Sequence, residues 1–434
     1  MNGDKMGLLE AVSIGVGTMI GASIFTVFGV GVMIAGPNLP EAFLLSSLLA
    51  LMVGYSYSKL SAKITSNAGP IEFILRGTGD TIVTGALSLL MWLSYVVSIS
   101  LFLEGFAGYF LPLIGVAPDP VSIGVTQVLV VSMFVVLNFF GSKAVGRAEL
   151  FVVAAKLLIL GLLVVAGARY VDLGRVVPTA EKPYLPGTFV AASIFFLSYM
   201  GFGLITNASE NISNAAQNVP RAIYISIISV AIVYLLVSIV VLGNLPIADI
   251  VKARENALAE AARPALGHAG FIVISIGALF SISSALNATL YGGANVSYTL
   301  AKDGELPRFF ERKIWFKSSE GLFLTAFIGL VLALLLDIGG IASMTSAVFI
   351  VIYLFVLASH LRLAHDVGGK RWLVGFNFLV VLLTFIVLMY HQYTVDSAVF
   401  YGILGVFALS LVVEVIYRRI ARRGFEIREL FDGQ

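Results

Sequence analysis

The chain has 434 residues, of which 59% are apolar and only 12% charged, against about 45–50% and about 25% in soluble domains. With no cysteine it has no disulfide, thiolate metal site or catalytic thiol, and its four scattered histidines make no metal cluster. A formal charge of +2 with dispersed Lys and Arg excludes a nucleic-acid-binding stripe.

Crossing a bilayer as a helix takes about 20 mostly apolar residues. In chain order such stretches fall at 8–35, 40–60, 81–103, 120–142, 146–168, 183–209, 222–248, 264–301, 321–336, 338–361, 372–395 and 397–417. These are twelve transmembrane helices, and the connections between them are too short for a soluble domain. Residues 1–434 therefore read as one all-α transmembrane domain in the lipid bilayer. Twenty of the 27 Lys and Arg lie on one side of these spans and six on the other. That bias predicts a multi-pass protein of the cell membrane with both termini cytoplasmic. The first span has no small-residue cleavage pattern and is expected to serve as the insertion signal. Between the seventh and eighth spans, 247–267 reads as a short amphipathic helix on the outer surface, either a lid or a parked loop helix.

Gly15-Val-Gly-Thr-Met-Ile-Gly-Ala-Ser23 in the first span aligns with Gly201-Phe-Gly-Leu-Ile-Thr-Asn-Ala-Ser209 in the sixth, matching at both glycines, the alanine and the serine. The two lie an odd number of spans apart, so the halves 8–170 and 183–362 would have opposite orientation, as in the inverted repeats of secondary transporters. Residues 372–420 then supply two additional helices. The glycines have two readings: close helix packing through small residues, or unwound backbone lining a cavity. On the second reading, a half-helix starting near Gly21 offers the N–H groups of Ile20, Gly21, Ala22 and Ser23 to an anion. The half-helix ending near Met200 offers the carbonyls of Leu197, Ser198 and Met200 to a cation. A carboxylate and an ammonium on adjacent atoms describe an α-amino acid. Neither break has an acidic side chain beside it, so a neutral amino acid is expected.

The one basic residue left inside a span is Lys156. A lysine at a helix centre costs about 2.5–3.5 kcal/mol on insertion scales. It sits about 15 Å from either end of its span, too far to snorkel easily. Two readings remain: a permanent ion pair with Glu104, Glu149 or Glu414, or a site that gains and loses a proton because removal from water disfavours the charged amine.

Gly17-Thr-Met-Ile-Gly-Ala-Ser-Ile-Phe25 resembles the G-x-x-x-G-x-G/S-I-F signature of the amino acid-polyamine-organocation (APC) transporter superfamily. Ser66-Asn-Ala-Gly-Pro-Ile-Glu-Phe73 is similar to its P-x-A-G-G-x-Y-x-Y loop, with Pro70 in place of the second glycine. Tyr199-Met-Gly-Phe202, the exit Asn218-Val-Pro-Arg-Ala-Ile223 and the loop Leu300-Ala-Lys-Asp-Gly-Glu-Leu-Pro307 follow in the family's order. The resemblance implies a LeuT-like 5+5 inverted repeat with broken helices 1 and 6 plus two additional helices. It also implies an aromatic gate at Phe202. Sodium-coupled relatives hold a cation between spans one, five and eight. In proton-coupled members a lysine takes its place, which here puts Lys156 against the carbonyls of Gly17 and Ile20 and a hydroxyl of Ser281 or Ser284. The implied activity is proton-coupled symport of amino acids with broad, neutral, L-amino acid specificity. The alternative is an exchanger of the same fold with Lys156 as a fixed sodium substitute. Protons are then the coupling ion, with no cofactor and no sodium requirement. The spans contain no Ser-His, paired-Asp or His-rich constellation that would suit an enzyme, and no G-x-x-x-x-G-K-[ST] loop for ATP.

Overall fold

The computed structural model describes residues 5–139, 145–302 and 320–421; most of the 300–307 motif lies outside them. The long apolar runs form long helices, because inside a bilayer a chain must satisfy its backbone N–H and C=O groups within itself. The first span is α1 (Leu8–Thr26) and α2 (Phe28–Ala35), and the second is α3 (Leu39–Ser61). A short α4 (Pro70–Thr78) precedes α5 (Ile82–Leu113), α6 (Pro120–Phe139) and α7 (Val145–Gly167). The sixth span is α8 (Tyr184–Phe195) and α9 (Gly201–Asn207), followed by α10 (Ala215–Asn244). Two small helices, α11 (Ile247–Ala253) and α12 (Ala257–Ala261), lead into α13 (Arg263–Lys302). The chain ends in α14 (Glu320–Leu335), α15 (Ile338–Val367), α16 (Arg371–Val395) and α17 (Ser397–Ala421).

Among the described residues, eleven helical segments are long and apolar enough to cross a membrane, and Gly321–Leu335 is a shorter apolar helix. The expected 247–267 helix is instead two short ones, and α13 kinks at Gly267, where φ is 61°. Burial separates an inner group from an outer one. The most apolar stretch of α5 is 94% buried and that of Tyr184–Asn207 89%, against 22% for α16 and α17. The outer helices turn apolar side chains outward, including Phe376, Leu379, Leu383, Leu409 and Val412, as a lipid-facing surface requires.

The two glycine-rich spans differ from one another. Span six, expected to break near Met200, tightens instead: α8 ends at Phe195, Phe196–Tyr199 is a 3₁₀ turn, and α9 starts at Gly201. Span one is not broken at Gly21. α1 stays wound through Gly15, Gly17 and Gly21 to Thr26 and bends at Val27, which corrects the expected break in helix 1. The reason is packing. A Cβ added to Gly21 would stand 2.5 Å from the Ala285 Cβ, and one on Gly15 2.6 Å from the Ser226 Oγ. These glycines let α13 and α10 press against α1. A Cβ on Gly201 would meet the Gly15 carbonyl oxygen at 2.7 Å, so the aligned first glycines of the two sequence repeats touch in space.

Candidate functional site

α1 is gripped by side chains that reach its backbone carbonyls from several helices. Lys156 of α7 is 2% exposed, and its Nζ donates to the Gly17 carbonyl at 3.0 Å. The Tyr234 hydroxyl of α10 donates to Met19 O at 2.5 Å, and Ser281 Oγ of α13 to Ile20 O at 3.3 Å. Lower and upper turns are held by Ser226 Oγ on Val12 O at 3.3 Å and the Tyr109 hydroxyl on Phe25 O at 3.1 Å. A carbonyl oxygen has two lone pairs and accepts an outside donor alongside its own i→i+4 bond, so the 17–20 turn is wound and also loaded with donors from other helices. Of the acids weighed as fixed partners for Lys156, Glu414 is engaged by Arg418 at 2.5 Å. Glu104 lies on α5 beside Gln127 of α6. The side chain of Glu149 lies outside the described residues.

One residue along from Gly17, Thr18 faces a narrow central cavity. Its wall comes from Tyr57 of α3, Met91, Tyr95 and Ser98 of α5, Met200, Gly203 and Leu204 of span six, Thr289 of α13, and Phe349, Ile352 and Tyr353 of α15. Among the described residues no charged side chain lines it. Several lining groups retain hydrogen-bonding capacity. Tyr95 Oη accepts from Asn207 Nδ2 at 2.9 Å, which leaves its own proton to donate. Tyr353 Oη is buried and has no hydrogen-bond partner among the described residues. Ser98 Oγ donates to Ser94 O at 2.7 Å and can still accept.

The predicted substrate residues are only partly brought together. Met200 lines the cavity, whereas Leu197 and Ser198 do not. The Leu197 and Met200 carbonyls each accept a backbone N–H, from Met200 and Gly203, and Ser198 O lies 3.5 Å from the Tyr234 hydroxyl. The N–H groups of Ile20, Gly21, Ala22 and Ser23 belong to continuous helix, so the free anion-binding half-helix start expected there is absent. The side chains of Ala22 and Ser23 lie outside what the structure describes. Phe202 is fully buried behind the wall, stacked on Tyr353 at 5.4 Å and edge-on to Tyr57 at 5.1 Å. Sequence reading missed Tyr57, Tyr95, Ser98, Asn207, Thr289 and Tyr353. Their one visible signal is hydroxyl and amide groups embedded in apolar spans, which also suits helix packing.

On the side where α9 ends, two loops are tied together. Ser209 Oγ accepts from Ser66 N and donates to Ser66 O, both at 3.1 Å. Glu210 accepts from Asn67 N and Nδ2 at 3.3 and 3.2 Å. Met6 N donates to Asn211 O and Ser213 N to Met6 O, both at 2.9 Å. Gly69 makes the closure possible: its φ is 57°, and a Cβ there would collide with Asn207 Oδ1 at 1.8 Å.

Apolar helices long enough to span a bilayer, packed around a central cavity, define a multi-pass membrane protein. The amino acid permease family model matches residues 6–412. The chain is 59% identical over 421 residues to an uncharacterized protein of Methanocaldococcus jannaschii, covering 97% of each. It is 31% identical over 421 residues to the inner membrane transport protein YbaT of Escherichia coli, across 96% of this chain and 97% of that one. Against the branched-chain amino acid permease BcaP of Bacillus subtilis, identity is 25% over 326 residues, 70% of this chain and 68% of that one. The chain belongs to the amino acid permease family of the APC superfamily and is an amino acid transporter.

Proposed function

We propose that this transporter is a proton-coupled symporter of neutral L-amino acids, built as twelve crossings in a LeuT-like 5+5 arrangement with cytoplasmic termini, and that Lys156 carries the coupling proton. The observation that carries this reading is the Lys156 Nζ–Gly17 O bond at 3.0 Å, one residue from Thr18 in the chamber wall. A charged amine binds that carbonyl more strongly than a neutral one. Protonation therefore favours the conformation in which α7 braces α1, and deprotonation releases it. Ser281 on Ile20 O and Ser284, on the same face of α13, complete the brace in the position a cation takes in sodium-coupled relatives. No sodium requirement follows.

The chamber binds the amino acid. The Tyr95 and Tyr353 hydroxyls are donors suited to its carboxylate, and the carbonyl of Met200, the residue of the 196–200 turn that lines the chamber, to its ammonium. The uncharged aromatic, methionine and hydroxyl walls accept a neutral side chain and give a cationic one no partner. The loaded 17–20 turn is where α1 opens during the cycle, which would free the N–H groups of Ile20 to Ser23. Contact between the first glycines of the sequence repeats supports the inverted arrangement. The exchanger reading predicts a different result in the same experiment. Purified protein in liposomes should take up neutral amino acids faster with an inward proton gradient, without sodium. Uptake indifferent to that gradient but dependent on internal amino acid would establish exchange.

A further inference from the structure

Between the chamber and its far end, α5 carries Glu104 and Gly108 one turn apart on one face. The α11–α12 segment delivers a second carboxylate to that face: a Cβ on Gly108 would stand 2.5 Å from the Glu255 Cβ and 3.2 Å from its Oε2. Both carboxylates are half-buried. Asp337, at the start of α15, also lies within electrostatic reach of Glu104, and Arg254 within reach of Glu255. Gln127, fully buried on α6, lies beside Glu104. Its amide faces the Glu104 carboxyl, and among the described residues its Nε2 and Oε1 make no other hydrogen bond. Thr26 Oγ1, packed on Gly105, is likewise buried and unpartnered. Two like charges held against one face of α5 repel each other. A proton on one carboxyl removes the repulsion and lets the pair share a hydrogen bond, as carboxyl pairs elsewhere do.

We propose that Glu104 and Glu255 form a proton-binding pair, and that the segment spanning α11 and α12 is a lid that seats on α5 only while the proton is bound. From the transport reading this takes only that a lid controls access to the chamber. Burial pushes the Glu255 carboxyl above the usual carboxylate range, with the nearby Arg254 opposing. A raised value in the seated state means that seating is complete below the ordinary carboxylate range and is lost as pH rises through the raised value.

The cysteine-free chain makes a clean test, because Ala259→Cys places a single thiol in α12 at a fully buried position. Its labelling by a methanethiosulfonate reagent is followed in the purified full chain. Each rate is divided by that of the denatured protein at the same pH. The normalised rate should rise about tenfold or more between pH 5 and pH 8. With Glu104→Gln and Glu255→Gln added, neutral amides stand in for the protonated pair and labelling should stay slow at both. Glu255→Gln alone, a milder change, should also remain slow at pH 8. A flat response in the parent, or an undiminished rise in the amide variants, overturns the proposal. So does slowing at pH 8 by added calcium ion, which would make the pair a metal site. Labelling needs neither substrate nor gradient, so its outcome is independent of whether transport is symport or exchange.

Discussion

Lys156 holds Gly17 O while Thr18, the next residue, faces the chamber, so on the proposed reading a proton on the amine and a substrate in the cavity act on one turn of α1. Lys156→Ala should abolish gradient-driven uptake; a folded variant that still moves protons with amino acid at the native ratio would shift the carrier to an acid such as Glu104. The two chamber tyrosines make a second residue-scale prediction. A hydrogen bond to a charged group contributes about 1.5–3 kcal/mol. Tyr353→Phe should therefore raise KM roughly 10- to 100-fold, with Tyr95→Phe giving a similar loss. Unchanged KM values would place the carboxylate elsewhere. Lys156 was legible in the sequence because a lone charge in an apolar span calls for a reason. The tyrosines were not, since hydroxyls in spans serve packing as readily as binding.

At the scale of the helix, α1 and span six show how one composition serves two purposes. In α1 the glycines are contact points: Gly21 meets Ala285 and Gly15 meets Ser226. In span six the backbone tightens into a 3₁₀ turn at Phe196–Tyr199, ahead of Gly201 and Gly203. The read-out expected of Gly21→Val changes accordingly. On the broken-helix reading it removes binding and spares folding. With α1 wound against α13 it forces the two helices apart, at a cost of about 1–3 kcal/mol typical of overpacking. Thermal unfolding in detergent should show a lowered midpoint, and an unchanged midpoint with lost binding would return the break to α1. The local sequence carried no signal to separate these cases, because a glycine's partner lies on another helix more than 200 residues away.

For the molecule as a whole, the Ser66–Ser209, Asn67–Glu210 and Met6–Asn211 bonds tie together the loops on the side where α9 ends. Each is an exposed or half-buried polar contact of modest strength. Glu210→Ala removes the acceptor for both Asn67 N–H groups. Hydrogen exchange around 66–69 and 209–213 should quicken, with protection of α5 unaltered. If protection at the two loops stayed at its native level, the closure would rest on the Gly69–Asn207 contact instead.

The membrane class, the positions of the long helices, the buried lysine and the family resemblance were determined by sequence alone. The physical reason is that a bilayer imposes length, apolarity and charge rules residue by residue, whatever the neighbours. Tertiary structure decided whether each glycine packs or breaks, which carbonyls of α1 receive donors, and which hydroxyls reach the chamber. Those outcomes depend on helices distant in sequence meeting in space. The Lys156–Gly17 contact spans 139 positions and the Ser281–Ile20 contact 261, separations over which no local pattern specifies a partner.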